Sequence, residues 1–79
     1  MAAKAFILIE TAVGKNKEVV DSIKQLKGVI SVDSVTGPYD VITVVEAANL
    51  NDIGDIVARK IHRVPGINRT VTCLALKTD

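Results

Sequence analysis

The chain has 79 residues, a formal net charge of +1 and hydrophobic residues at 48% of its positions. This length predicts one domain over residues 1–79, and the single cysteine excludes an internal disulfide. The basic residues are dispersed rather than concentrated as in nucleic-acid-binding faces, and no apolar run approaches the roughly 20 residues of a membrane-spanning helix. The chain start lacks the apolar segment of a signal peptide. We therefore expect a cytoplasmic protein that contacts neither membrane nor nucleic acid directly.

The first half of the chain predicts a strand, a helix and a second strand. The first strand is expected over 5–12, and its apolar run, 5–9, does not alternate, which is typical of a strand that is covered on both faces. Asn16 is the expected N-cap of the helix, and Gly28 is the expected C′ residue that ends it. The segment 29–35 predicts a more polar strand, which suits a sheet edge.

The second half predicts the same order of elements. A continuously apolar strand is expected over 41–47, and Asn49 or Asn51 is the expected cap of the second helix. Pro65-Gly66 stops this helix, and the last strand is expected over 70–77. The expected buried stripe of the second helix consists of Leu50, Ile53, Val57, Ile61 and Val64.

An internal repeat predicts how these elements combine. Residues 23–29 match 61–67, and 6–10 match 42–46, so the chain consists of two strand–helix–strand copies. Two fused copies predict an α+β, ferredoxin-like βαββαβ fold. The expected sheet is antiparallel and four-stranded, in the order 4-1-3-2, with two helices on one face.

The apolar central strands also predict assembly. The two helices cover one face of the sheet, yet both central strands are apolar on both faces. We expect a second copy to pack sheet against sheet, as a dimeric α/β barrel. The alternative is a sheet with one face exposed to solvent, on which scattered valines are accessible.

Few residues offer catalytic or metal-binding chemistry. His62 lies in the expected last turn of the second helix, where the helix dipole favours a cation. Cys73 is expected to be a buried, unreactive thiol. The sequence has no Cys/His spacing typical of zinc sites and no Cys-x-x-Cys pair. We expect no metal, no cofactor and no catalytic residue.

The turn between the second and third strands carries the most distinctive polar residues. The segment 35–40 contains the only tyrosine of the chain, Tyr39, followed by Asp40 at the start of an apolar strand. The residues alone favour a hairpin turn with a solvated or pinning Asp40. A ligand-binding turn remains the other interpretation.

The order of the motifs resembles the ligand-binding module of the Lrp/AsnC family of transcription regulators, often called the RAM domain, for regulation of amino-acid metabolism. The matching features are Ala5-Phe6-Ile7-Leu8, Lys27-Gly28-Val29, Val35-Thr36-Gly37-x-Tyr39-Asp40, Ile61-x-x-x-Pro65-Gly66-Ile67 and Thr70-x-Thr72. Full-length members of the family carry an N-terminal helix-turn-helix domain, for which there is no room before the first strand. We therefore expect a stand-alone module that does not read DNA itself.

The resemblance implies a non-enzymatic module that binds an amino-acid effector and assembles into dimers and larger rings, with full-length family members as possible partners. The implied ligand-binding residues are Gly37, Tyr39, Asp40, Thr70 and Thr72. Gly37 allows close approach of the ligand carboxylate, and Asp40 accepts a hydrogen bond from the ligand ammonium. Tyr39 forms a wall of the pocket, and the two threonines add hydroxyl groups.

Two other functions remain open at this point. Dimeric ferredoxin-like barrels include small monooxygenases and isomerases, although this chain has one histidine and no tryptophan. A structural assembly module without a ligand is the third interpretation.

Overall fold

The computed structural model describes residues 2–76 as a four-stranded antiparallel sheet with two helical segments. The elements in chain order are β1 (Ala3–Thr11), α1 (Asn16–Lys24), β2 (Val29–Ser34), β3 (Val41–Ala47), α2 (Leu50–Asp55) and β4 (Ile67–Leu74). The strand order is β2-β3-β1-β4, which confirms the order 4-1-3-2 predicted from the sequence. No helix among residues 2–76 has the length and apolar character needed to cross a membrane.

The core lies between one face of the sheet and the helices. Three alternate residues of β1 are fully buried, namely Ala5, Ile7 and Ile9, because alternate residues of a strand point to the same face. The buried residues of the helical segments that join this core are Val19, Ile23, Ile53, Ile56, Val57, Ile61 and Val64. Leu50 is 57% exposed, so its predicted place in the buried stripe is wrong. It starts α2 beside the edge strand β4, which the helices leave uncovered.

The two helices begin differently from each other. Asn16 is the first helical residue of α1, and Lys15 occupies the cap position without a side-chain hydrogen bond. The predicted capping by Asn16 is wrong, because its side-chain oxygen accepts a hydrogen bond from the Thr11 hydroxyl instead. In α2 the side chain of Asn49 accepts a hydrogen bond from the Asp52 backbone N–H at 2.9 Å, which selects Asn49 from the two expected caps.

The second helical segment changes its winding along its length. The α-helical part, α2, is followed by a π-helical turn at Ile56–Lys60 and a 3-10 turn at Ile61–Arg63. Within the wide π turn, the adjacent residues Ile56 and Val57 are both buried. The backbone becomes extended at Val64, directly before the predicted Pro65-Gly66 stop.

Gly28 lies in the connection between α1 and β2 rather than at the C′ position of α1. The helix ends earlier, at Lys24, because the next two backbone N–H groups bond to carbonyls only three residues back. Gly28 has a φ of +96°, and its carbonyl accepts a hydrogen bond from Glu46 N at 2.9 Å. A Cβ at this position would lie 2.7 Å from Ile56 Cδ1. The glycine is therefore required by packing as well as by its backbone conformation.

The last strand starts earlier than predicted, at Ile67, and its expected end at residue 77 lies outside the described residues. Thr70 and Thr72 pair with buried residues of β1 and share their face, whereas Val71 and Cys73 lie on the opposite face, as predicted. Cys73 is exposed, so the expectation of a buried thiol is wrong for a single chain. The helices cover only the other face of the sheet.

We expect Gly28→Ala to lower the free energy of unfolding by about 1–3 kcal/mol, because the added methyl group overlaps Ile56 and the positive φ disfavours alanine. Gly54→Ala is the matched control: it lies inside α2, and its Cβ would meet nothing within 4 Å. This control should gain about 0.5–1 kcal/mol from helix propensity. Urea denaturation at equal protein concentrations measures both. Equal stability of the two variants would contradict the packing role of Gly28.

Candidate ligand-binding site

The turn 35–40 lies where β1 ends and β4 begins. Asp40 N donates a hydrogen bond to Ile9 O at 2.9 Å, and Val35 N donates one to Asp40 O at the same distance. The Tyr39 ring approaches Arg69 of β4, whose guanidinium carbon lies 5.9 Å from the ring centroid. The turn is thus fixed to β1 and reaches the start of β4.

The carboxylate of Asp40 anchors this turn. Its Oδ2 accepts a hydrogen bond from the Thr11 backbone N–H at 2.9 Å. The pairing of β1 with β3 ends at Ile9 and Val41, so the carboxylate supplies an acceptor to Thr11 just beyond the end of this ladder. Asp40 therefore has the pinning role that the sequence left open as an alternative to ligand binding.

The second oxygen of Asp40 is available at the surface. Oδ1 has no hydrogen-bond partner among residues 2–76. Within the same part of the chain, no buried side-chain oxygen or nitrogen lacks a partner. Since an unpaired Oδ1 is not buried, it is accessible to a donor from outside the chain.

Gly37 forms the open tip of the turn. It is exposed, its φ is +138°, and a Cβ built on it would meet nothing within 4 Å. The tip leaves room for a molecule to approach the backbone, while the positive φ favours glycine.

The two predicted threonines lie elsewhere on the single chain. Thr70 Oγ1 is 3.0 Å from His62 Nε2, on the side of the sheet that packs against the helices. Thr72 lines a shallow apolar groove between α2 and β4. The five predicted residues therefore do not surround one cavity within a single chain: Gly37, Tyr39 and Asp40 share the turn, and each threonine has separate surroundings.

Other surface features are distant from this turn. A groove of about 440 Å³ lies at the opposite end of β3 and is lined by charged residues of both signs, none of them from the turn. Among residues 2–76, no three histidine, cysteine or acidic side chains cluster as a metal site.

Two residues of the turn's surroundings were missed by the sequence interpretation. Arg69 was placed before the last strand, whereas β4 includes it and sets it directly opposite Glu10 of β1. A strand start at 67 would have indicated this pairing. Thr11 was assigned to β1 without a role, because only the folded register brings its N–H to Asp40.

Comparison with known families decides the classification. The sequence profile of the Lrp/AsnC ligand binding domain matches residues 4–78. The chain belongs to the Lrp/AsnC ligand-binding domain family. An uncharacterised HTH-type transcriptional regulator from Pyrococcus furiosus is 37% identical over 62 residues, covering 78% of this chain and 41% of that regulator. The Lrp/AsnC domain described here spans about half the length of the curated relatives it matches, from 41% to 54%.

Solved structures share the fold of this Lrp/AsnC domain. A crystal structure of a Thermus thermophilus protein superposes with a TM-score of 0.92 at 32% identity, and covers 98% of this chain and 96% of that one. A transcriptional regulator from Neisseria meningitidis, solved in complex with L-Met, has a TM-score of 0.84 at 19% identity, with 95% of this chain and 50% of that one covered. At that identity the likeness shows the fold alone.

The anchoring hydrogen bond predicts a difference between two substitutions of Asp40. Asp40→Ala leaves the Thr11 N–H without its acceptor, and we expect a loss of about 1–3 kcal/mol in the free energy of unfolding. Asp40→Asn keeps a side-chain oxygen for Thr11 and should lose less. Denaturant titration compares the two variants at equal concentration. If both variants unfold at the wild-type midpoint, the contact is not stabilising.

Proposed function

We propose that this domain binds a free amino acid at the turn 35–40 and modulates transcription regulation through assembly, without reading DNA itself. The proposal rests on Asp40: its Oδ2 is held by Thr11, its Oδ1 is accessible, and it follows the open tip at Gly37 by three residues. The family supports a ligand-binding role. The L-Met complex of the Neisseria relative supports an amino acid as the class of ligand.

The anchored carboxylate suits an ammonium group. One oxygen is held by Thr11, so the side chain has little rotamer freedom left to lose when a ligand binds. The other oxygen accepts a charge-assisted hydrogen bond from the ligand ammonium. Tyr39 provides an aromatic wall, and Gly37 lets the ligand approach the backbone.

Assembly brings the remaining residues to the ligand. Thr70 and Thr72 have surroundings separate from the turn of their own chain, so their contact with the same ligand requires a second subunit. In this arrangement the amino acid lies between subunits. Its binding stabilises the assembled form, because a ligand that binds one state preferentially shifts the equilibrium toward it.

The uncovered face of the sheet is the proposed contact between two copies. Its apolar residues are Phe6, Leu8, Ile42, Val44, Val71 and Cys73. Charges of both signs border this apolar belt: Lys4 is opposite Glu46 at one end, and Glu10 is opposite Arg69 at the other. A second copy of the same face meets this pattern with apolar surface at its centre and charged residues at its margins. Dimers formed in this way associate into a larger ring, and a full-length family member presents an equivalent face.

We expect calorimetry with the twenty amino acids to identify at least one ligand, and Asp40→Asn to weaken its affinity about ten- to a hundred-fold. The substitution removes the charge that holds the ammonium but keeps the oxygen that accepts from Thr11. Asp21→Asn is the matched control, since Asp21 is exposed on α1 and pairs with Lys17 at 3.0 Å. This control should bind as the wild type does. Wild-type affinity in a folded Asp40→Asn variant would remove Asp40 from the site.

We expect Val44→Asp to convert the assembly into monomers of 8.4 kDa, because an unpaired carboxylate at the centre of the apolar belt is costly to bury. Val13→Asp introduces the same change at a fully exposed position outside the sheet, and it should leave the assembly intact. Light scattering after size exclusion gives both masses. A wild-type mass of 8.4 kDa at micromolar concentration would overturn the assembly proposal.

A further inference from the structure

The guanidinium of Arg69 lies over the ring of Tyr39 and does not form a salt bridge with Glu10, its partner in the strand pairing. Its guanidinium carbon lies 5.9 Å from the centroid of the Tyr39 ring. Glu10 lies directly opposite Arg69 in the strand pairing. Even so, the ion pairs of the described residues all join positions within the helical layer, namely Lys15–Glu18, Lys17–Asp21 and Asp55–Arg59. Among residues 2–76, Arg69 therefore has no carboxylate within salt-bridge distance.

Arg69 and Asp40 reach the end of β1 from opposite sides. Asp40 precedes β3 and is bonded to Thr11, while Arg69 belongs to β4 and pairs with Glu10. Because β3 and β4 flank β1 and neighbouring strands lie about 4.8 Å apart, the two backbones are separated by about 10 Å. The Tyr39 ring, next to Asp40 in the chain, has its centroid 5.9 Å from the guanidinium carbon. The unpaired Arg69 guanidinium thus lies near the turn that contains the Asp40 carboxylate and its accessible oxygen.

We propose that Arg69 binds the carboxylate of the ligand, so that the site selects free α-amino acids over amines and over derivatives with a blocked carboxyl group. This inference rests on the proposed function, in which Asp40 holds the ammonium. Gly37 gives the ligand room but carries no charge, whereas a guanidinium binds a carboxylate through two parallel N–H donors. Stacking on Tyr39 limits the orientations of the guanidinium and reduces the ordering that binding requires.

A zwitterion offers one charged group to each of the two residues. Charge-assisted hydrogen bonds of about 2.8 Å at each end, added to the short span of an α-amino acid, bridge a gap of about 8–9 Å. An amine without a carboxylate reaches only Asp40. An amino-acid amide reaches both residues but offers Arg69 a neutral oxygen.

The test compares the best-binding amino acid of the twenty with its α-carboxamide, by calorimetry on wild type and Arg69→Gln. The wild type should prefer the free acid by about tenfold or more. Arg69→Gln should weaken binding of the acid by about the same factor and leave binding of the amide within about twofold, since the lost interaction is specific to the carboxylate. Arg59→Gln is the control, because Arg59 is an exposed arginine of the π turn that pairs with Asp55 at 3.6 Å. It should preserve the preference for the acid.

The possible outcomes separate this inference from the proposed function. Equal weakening of acid and amide by Arg69→Gln, or no weakening of either, would overturn the role of Arg69 while amino-acid binding stands. Equal wild-type affinity for acid and amide would do the same. Failure of all twenty amino acids to bind the wild type would overturn the proposed function and this inference with it. Light scattering on each variant shows whether a loss of affinity arises from a loss of assembly instead.

Discussion

The unequal coverage of the sheet is the constraint on which the rest of the molecule depends. Two helical segments bury the middle of one sheet face, which contains Ile7 and Ile9, and leave the edge strand β4 largely exposed. The opposite face keeps Phe6 and Val71 more than one-third exposed. The middle of the first face is buried within a single chain, and the opposite face is the one proposed to pack against a second copy. This coverage also explains why Cys73 is exposed in a single chain.

The fold was largely predictable because its signals are repeated and local. The two matching strand–helix–strand copies indicated the sheet order, and the apolar run 41–47 has the bounds that β3 has in the structure. Errors arose where a residue has a partner outside its own helix or strand. Asn16 follows the local rule for a cap, but its side chain is engaged by Thr11. Gly28 follows the rule for a helix end, but it is required by contact with Ile56.

The candidate site was only partly predictable for a related reason. A lone tyrosine followed by an aspartate, between two predicted strands, marked the turn without any knowledge of the sheet. The hydrogen bond from Thr11 to Asp40 depends on how the end of β1 lies beside the start of β3, and no pattern of residues near position 40 indicates it. The contact of Arg69 with Tyr39 likewise joins two segments 30 residues apart along the chain. The sequence indicated the polar residues of one loop, while the folded register supplied their neighbours.

The two oxygens of Asp40 have a genetic consequence. One supports the end of β1, and under the proposed function the other supports the ligand, so most substitutions at this position lose both roles together. Asparagine separates them, and a single base change converts an aspartate codon into an asparagine codon. A lineage of this family therefore has a one-step mutational route from an effector-responsive domain to a folded domain that no longer responds. Residue 40 is accordingly the first position to inspect when a homologue conserves the fold without sensing its effector.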